Sequence, residues 1–248
     1  MHFSHRLDIL HGRVNTRPAY TPQRPVPPIL QGFYQRKLLT GTFHLGETSE
    51  DPLYAVNVQS GWGCSPPGVT LHNGPTNKHP VLAKAADETG RTHNILNNII
   101  TMPPLPGAHQ DTVESMRAAI DGETVTFQFS VDIGYGHGLK REFFEWRKIN
   151  INHEIGILPP QFKSGFKLVR LGSGGVFRQP EVVATIAFHD GRTMTLPFIL
   201  QFYSSLGDRW AIMVIVTALK IWALNTQGKT TASFISAQGD GWVTGTNG

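Results

Sequence analysis

The chain has 248 residues, of which 40% are hydrophobic and 16% are charged; this composition excludes an extended disordered protein. Its 26 glycines and 17 prolines favour many short strands over a helical bundle. The single cysteine, Cys64, excludes an intramolecular disulfide framework and a zinc site built on several thiolates. A net charge of +4 permits anionic partners without requiring nucleic acid.

Residues 1–30 are predicted to form a disordered, proline-rich tail. Five prolines between positions 18 and 28 prevent a helix there. Polar and charged residues among the first ten positions interrupt the hydrophobic stretch that a secretory signal needs. We therefore expect a cytoplasmic protein, with a membrane-peripheral or nuclear location as alternatives.

Ten short segments carry signals for β-strands. The clearest is residues 124–133, where apolar residues from Val125 to Ile133 alternate strictly with polar ones. This period of two predicts a strand with one buried and one wet face. Because no composition break or internal repeat interrupts the series, we predict one domain from residue 31 to residue 227. The other predicted strands are residues 38–44, 53–60, 69–72, 81–86, 94–102, 142–149, 167–172, 181–189 and 196–203.

One segment breaks this pattern and predicts a central helix over residues 209–224. From Trp210 to Leu224, thirteen of fifteen residues are apolar, the exceptions being Thr217 and Lys220. Fifteen helical residues reach about 22 Å, which is short of a hydrocarbon core of about 30 Å. A helix that is apolar on every side therefore has to lie inside the protein. The glycine-, serine- and threonine-rich residues 228–248 are expected to form a flexible tail.

The strands and the helix together favour a mainly β protein. About ten to twelve one-sided strands need an apolar partner, and the apolar helix needs to be surrounded. A closed antiparallel β-barrel around a central C-terminal helix satisfies both needs and removes the sheet edges. The alternative is a two-sheet sandwich with the helix across one open end, which would leave part of the helix wet.

Seven short segments between about residue 50 and residue 225 carry a family resemblance. Their order, with the terminal helix, resembles a poorly characterised group of filamentous-fungal proteins in the tubby C-terminal-like superfamily, which also includes LURP-one-related proteins and phospholipid scramblases. The resemblance implies a barrel whose outer basic groove can hold a phosphoinositide headgroup, although fold alone does not imply function. The segments are Pro52-Leu53-Tyr54-Ala55-Val56, Ser60-Gly61-Trp62, Leu71-His72-Asn73-Gly74-Pro75, Pro103-Pro104-Leu105-Pro106-Gly107, Phe144-Glu145-Trp146-Arg147, Lys167-Leu168-Val169-Arg170-Leu171-Gly172 and Asp208-Arg209-Trp210-Ala211-Ile212-Met213.

Motifs for catalysis or metal binding are missing from the sequence. The eleven histidines form no HisXHis or HisGluXXHis pattern, and no GlyXSerXGly elbow follows a predicted strand. Although scramblases are linked to calcium, no carboxylate-rich segment precedes the helix. Glu142 and Glu145 lie three residues apart, so a strand would point them to opposite faces, and solvated surface is their expected position. We predict no catalytic residue, metal or cofactor.

The strongest charge asymmetry lies between Lys140 and Arg170, where seven cations face three glutamates. Two adjacent strands would bring these cations to one wall, where they could donate charge-assisted hydrogen bonds to phosphate. The interleaved Phe143, Phe144 and Trp146 could contact a lipid interface. Cross-strand pairs between the cations and the glutamates are the alternative interpretation. The candidate anion- or lipid-binding residues are Lys140, Arg141, Arg147, Lys148, Lys167 and Arg170.

Two functions are compatible with these observations. The first is a non-enzymatic, monomeric ligand-binding module that attaches peripherally to anionic phospholipid or phosphoinositide; nucleic acid is a weaker option at this charge. The second is a pocket enzyme or carrier in fungal small-molecule biosynthesis. That alternative needs a cavity of several hundred Å³ with converging polar groups. Its candidate wall and acid–base residues are Trp62, Trp146, Trp222, Tyr203, His72 and His189.

Overall fold

The computed structural model describes residues 21–34, 42–59, 67–88, 97–105, 108–122, 124–134, 138–154, 156–171, 180–189 and 196–237. Within these ranges the chain forms twelve strands and two helices. The strands are β1 (Ile29–Tyr34), β2 (Thr42–Gly46), β3 (Pro52–Gln59), β4 (Gly68–His72), β5 (Val81–Asp87), β6 (Asn97–Met102), β7 (Thr112–Asp121), β8 (Thr124–Ile133), β9 (Lys140–Lys148), β10 (Ser164–Arg170), β11 (Glu181–Phe188) and β12 (Phe198–Phe202), and the helices are α1 (Asp208–Thr226) and α2 (Ala232–Ala237).

The twelve strands close into one antiparallel barrel. Each strand pairs with its neighbour in sequence, and β1 pairs with β12 through Ile29↔Gln201 and Leu30↔Leu200. The prediction of a closed barrel of ten to twelve strands is therefore confirmed, and the sandwich alternative is wrong. Two strands, β1 and β7, were not among the predicted ones.

Alternation places the apolar residues of each strand inside the barrel. In β8, Val125, Phe127, Phe129 and Val131 are buried, whereas Gln128 between them is exposed. The same alternation supplies buried residues from β9, β10, β11 and β12. Burial of these faces away from water is the main favourable contribution to the fold.

The helix α1 fills the bore of the barrel, as predicted. Every residue from Trp210 to Leu224 is buried, and α1 packs on β4, β5, β8, β11 and β12. By length and hydropathy α1 could cross a membrane, but core helices of soluble proteins share this property and most of α1 is enclosed by the strands. Gly207 turns the chain into the bore with φ +103°, and a Cβ there would lie only 2.9 Å from the carbonyl oxygen of Gly134.

The two ends of the barrel are distinguished by the helix. We call the end where α1 begins the proximal end; there Gly134 N donates to Leu206 O at 3.2 Å. We call the end where α1 finishes the distal end; there Lys148 Nζ donates to Thr230 O at 3.0 Å. Because hairpins alternate between ends, β9 starts at the proximal end and finishes at the distal end.

Residues 21–30 differ from the predicted disordered tail, because they lie against the barrel. The Asn73 side chain accepts from Gln23 N at 2.9 Å and donates to Thr21 O at 3.0 Å. Phe202 N donates to Pro28 O at 2.8 Å. Proline removes donors but leaves the carbonyl acceptors, so an extended proline-rich segment can still be held by side chains. Residues 1–20 lie outside the described residues.

The predicted flexible tail after residue 227 also differs in part, because residues 232–237 form the short helix α2. Thr231 Oγ1 accepts from Phe234 N at 3.2 Å, which is the pattern of an N-cap. Ile235 is buried, and α2 packs on β7 and β8. A single apolar turn in a serine- and threonine-rich segment gives too weak a period to be recognised in sequence. Residues 238–248 lie outside the described part.

Candidate functional site

The six predicted cations lie on two adjacent strands, but they do not share one face. Strands β9 and β10 pair through Lys167↔Arg147 and Arg170↔Phe144. Side chains alternate along β9, so Lys140 and Lys148 have the same inward register as Phe144. Arg170 has it too, because paired residues share a face. These three cations lie at the two rims of the barrel. The outer wall carries the other three candidates, which are Arg141, Arg147 and Lys167.

At the proximal rim, Arg170 is bound to carboxylates. Its Nε donates to Glu142 Oε2 at 2.5 Å and its Nη2 donates to Glu142 Oε1 at 2.8 Å. Glu181 lies 3.7 Å from Arg170, and Lys140 Nζ lies 3.7 Å from Glu142. The hydrogen bonds from Arg170 hold the pKa of Glu142 below its usual value. Arg170 is therefore occupied by this rim cluster.

On the outer wall, arginine and lysine also meet acidic partners. Arg147 Nε donates to Glu145 Oε1 at 2.5 Å, and Gln128 Nε2 donates to Glu145 Oε2 at 2.5 Å. Lys167 Nζ donates to Glu154. At the distal rim Lys148 donates to the Thr230 carbonyl group, as noted above. The alternative interpretation, pairing between cations and glutamates, describes these contacts better than an open anion-binding wall does.

The prediction that Glu142 and Glu145 are solvated is wrong. They point to opposite faces, as expected, but each is nearly fully buried. Glu142 lies on the inward register at the rim under Arg170, and Glu145 lies on the outer wall under Arg147 and Gln128. Burial of a carboxylate is tolerated where charged and hydrogen-bonding partners satisfy it.

Arg141 makes the most extensive contacts of the six candidates. Its Nη1 donates to Glu114 Oε1 at 2.6 Å and its Nη2 donates to Glu114 Oε2, a bidentate geometry. Ser130 Oγ accepts from Nε at 3.1 Å and from Nη2 at 2.9 Å. Asp132 lies 3.6 Å away. The Glu114 side chain is 8% exposed, whereas 41% of the Arg141 side chain remains exposed.

The three aromatic residues of β9 have different environments. Phe144 and Trp146 are fully buried in the barrel, so the expectation that they contact a lipid interface is wrong. Trp146 Nε1 donates to Thr217 of α1 at 3.0 Å. Phe143 alone points outward and is 54% exposed. Alternation along β9 separates Phe143 from its two neighbours in this way.

Phe143 belongs to an exposed apolar group at the proximal end. Leu171 is 44% exposed, and its N donates to Phe143 O at 2.9 Å, so the two residues lie side by side. Leu139 is also exposed and precedes Lys140, whose side chain is 62% exposed. Sequence reasoning singled out Phe143 but missed the leucines, because the register of β9 with β10 brings Leu171 to it. We call the group of Leu139, Lys140, Arg141, Phe143 and Leu171 the proximal patch.

The structure also contains a cleft at the proximal end, next to β3 and β4. Its volume is about 240 Å³, and its polar groups are largely engaged with one another. Arg24 donates to both carboxylate oxygens of Asp51 at 2.8 and 2.7 Å. Burial raises the pKa of Tyr54, whose hydroxyl lies 3.5 Å from Arg24 O. Asn73, whose side chain holds Thr21 and Gln23 by hydrogen bonds, also lines the cleft.

Three of the residues proposed for a catalytic pocket, Trp146, Trp222 and His72, are buried in the fold. Trp146 lies in the core, and Trp222 packs on Phe43 and Phe198 with ring centroids 5.0 and 5.3 Å apart. His72 is buried, with Nε2 3.2 Å from Asn57 Nδ2 and Nδ1 3.0 Å from His79 O. The remaining candidates are Tyr203, which meets Thr185 at 3.0 Å, His189, which packs edge-on against Phe162, and Trp62, which lies outside the described residues.

Within the described ranges, no three histidine, cysteine, aspartate or glutamate residues come together in a group that could hold a metal ion. Comparison with known proteins adds no identity: no protein-family model, no curated protein and no solved structure matches this chain. The geometry of the barrel and its surface therefore has to carry any argument about function.

Proposed function

We propose that this protein is a non-enzymatic module that binds anionic phospholipid surfaces through the proximal patch. The single observation that carries the proposal is that exposed Phe143 and Leu171 are neighbours, joined by a backbone hydrogen bond, beside exposed Lys140 and Arg141. An interface between water and lipid offers both an apolar phase and negative charge, so this combination of side chains suits it. A phosphoinositide headgroup is one candidate source of the charge.

The expected attachment is weak and reversible. Each cation near an anionic surface contributes about 1 kcal/mol, and only Lys140 and Arg141 of the six candidates are exposed. The other four are less exposed, and they are held at the rims or on the wall by partners described above, as Arg141 is by Glu114. Because salt screens exposed charges, binding should weaken as ionic strength rises.

A relationship between this chain and tubby-like proteins is also part of this proposal. A barrel closed around a C-terminal helix is the architecture that the resemblance implies, and it supports the fold-level relationship. The bore is filled by α1, so a ligand has to approach from outside. This filling leaves no room in the bore for the cavity of several hundred Å³ that the enzyme or carrier alternative needs, and the cleft at the proximal end measures about 240 Å³.

Sedimentation with vesicles tests the proposal. We expect the full chain to bind vesicles that contain phosphatidylserine or a phosphoinositide, and to bind neutral phosphatidylcholine vesicles much more weakly. Lys140→Gln should weaken binding about fivefold, which corresponds to about 1 kcal/mol, and Phe143→Ser should weaken it further. Comparing the two anionic lipids at equal surface charge separates headgroup recognition from general electrostatic attraction.

Matched controls lie elsewhere on the barrel. Lys84→Gln removes an exposed lysine from β5, and Ile151→Ser removes an exposed apolar residue near the distal end. Neither change should alter binding. Equal binding to neutral and anionic vesicles, or equal losses from the patch variants and their controls, would contradict the proposal.

A further inference from the structure

We propose that Glu114 acts as a latch on Arg141, holding back the second cation of the proximal patch and thereby limiting its affinity for anionic surfaces. This inference rests on the proposed function and concerns its regulation. Glu114 belongs to β7, a strand that was not predicted, and it lies 27 positions before Arg141 in sequence. Strand pairing in the barrel therefore brings the two residues together.

The geometry shows how completely the guanidinium is engaged. All three nitrogens of Arg141 donate hydrogen bonds, to the two oxygens of Glu114 and to Ser130 Oγ. A bidentate pair of this kind is the strong form of the arginine–carboxylate interaction. The hydrogen bond from Arg141 to Glu114 also raises the pKa of Arg141. A lipid phosphate must replace or share these bonds before it can be held by Arg141.

Exposure singles out this pair among the arginine–glutamate pairs of β9 and β10. The side chain of Arg141 is 41% exposed, compared with 32% for Arg147 and 26% for Arg170. Its carboxylate partner is almost completely covered, so the cation faces the surface and the anion lies beneath it. Arg141 and Phe143 are two residues apart on β9 and share its outer face. Release of Arg141 would add a cation next to the apolar contact.

Neutralising Glu114 should therefore strengthen lipid binding. In Glu114→Gln the amide keeps the size of the side chain and can still accept one hydrogen bond, but its negative charge is gone. One additional effective cation corresponds to about 1 kcal/mol, or about fivefold tighter binding to anionic vesicles. Ser130→Ala removes a hydrogen-bond partner of Arg141 without any change of charge, and it should shift affinity in the same direction by a smaller factor.

The matched control is Asp121→Asn. Asp121 is an exposed residue at the distal end of β7, so this change alters the net charge by the same amount far from the patch. Vesicle titrations of wild type, Glu114→Gln, Ser130→Ala and Asp121→Asn at one salt concentration give the comparison, with thermal unfolding used to verify that each variant is folded. Glu114→Gln/Arg141→Gln should lose the gain, because the released cation is absent.

The outcomes separate the latch from the proposed function. Binding of wild type to anionic vesicles, with Glu114→Gln tighter than Asp121→Asn and Ser130→Ala tighter than wild type, supports both. If wild type binds but Glu114→Gln gains no more than Asp121→Asn, the latch is overturned and the function stands. If Glu114→Gln does not fold, Ser130→Ala decides, and an unchanged affinity overturns the latch. If neither wild type nor the variants distinguish anionic from neutral vesicles, the proposed function itself fails.

Discussion

Lys220 is a charged residue enclosed in the bore, and a single residue, Asp87, balances its charge. Its side chain is 3% exposed, and Nζ donates to Asp87 at the end of β5 and to Pro67 O at 3.4 Å. Burial lowers the pKa of Lys220, and the hydrogen bond from Lys220 to Asp87 opposes this effect. A buried ion pair of this kind adds little net stability, but removal of one partner leaves an uncompensated charge.

Asp87→Asn should consequently lower the free energy of unfolding by about 3 kcal/mol, measured by urea denaturation at neutral pH. The reason is that Lys220 would keep its buried ammonium group without a counter-charge. Adding Lys220→Met in the same chain should recover most of the loss, because an apolar side chain suits the bore. The surface change Asp121→Asn serves as control and should shift stability by less than about 0.5 kcal/mol. A similarly small effect of Asp87→Asn would contradict this account.

Among the elements, α1 is apolar on every side, so its hydrophobic pattern does not determine which side faces which strand. Two polar links make that distinction. Thr217 accepts from Trp146 on β9 and donates to Met213 O at 2.8 Å, and Lys220 reaches β5. These are the two residues that interrupt the apolar run in sequence. Each interruption corresponds to a specific hydrogen bond between the helix and the barrel wall.

Thr217→Val tests the link between α1 and β9. The substitution preserves the shape of the side chain but leaves the indole N–H of Trp146 buried without an acceptor, so unfolding free energy should fall by about 1–3 kcal/mol. The double variant Thr217→Val/Trp146→Phe has no orphaned donor. Chemical denaturation of both singles and the double should therefore give a double variant more stable than the sum of the single losses predicts. If the stability losses of the two single variants simply add up in the double variant, the hydrogen bond between Trp146 and Thr217 does not contribute to stability.

The whole molecule is a closed barrel whose final element lies inside it. Pairing of β1 with β12 joins Ile29 to Gln201, so closure depends on strands far apart in the chain. Because α1 is surrounded by strands, its amides can reach solvent only when the barrel opens. The proximal patch and the start of β9 lie at an exposed rim and do not share this protection.

Native-state hydrogen exchange measures this difference. Amides of residues 212–222 should exchange with the free energy of global unfolding, and those near Lys140 should exchange at lower free energies. As the urea concentration rises, the free energy of exchange for α1 should fall in parallel with the free energy of global unfolding. Exchange of α1 at a free energy well below that of the central strands would mean that the helix leaves the bore without unfolding of the barrel.

Local pattern was sufficient for much of the fold. Alternation identified β8 and β11, and the apolar run identified α1, because each signal lies within one element. β7 was not predicted because the alternation at its start is the reverse of the usual one. The apolar Val113 is 61% exposed, whereas the charged Glu114 is buried against Arg141. β1 was missed because it begins within the proline-rich segment that was expected to be disordered.

The site was less predictable than the fold. Sequence revealed that Lys140 to Arg170 is rich in cations, and β9 and β10 are adjacent, as expected. It did not reveal Glu114 as the partner of Arg141 or Leu171 as the neighbour of Phe143. Both contacts join residues from different strands, and only the register of those strands brings them together.

The amino-acid sequence by itself thus determined the strand periodicity, the buried helix and the supply of positive charge. Tertiary structure alone decided which cations lie near an exposed apolar surface and with which carboxylate each arginine is paired. The physical reason is that burial patterns repeat along a single segment, whereas an ion pair depends on a distance of a few ångströms between segments. Barrel closure sets those distances, as it does between Arg141 and Glu114.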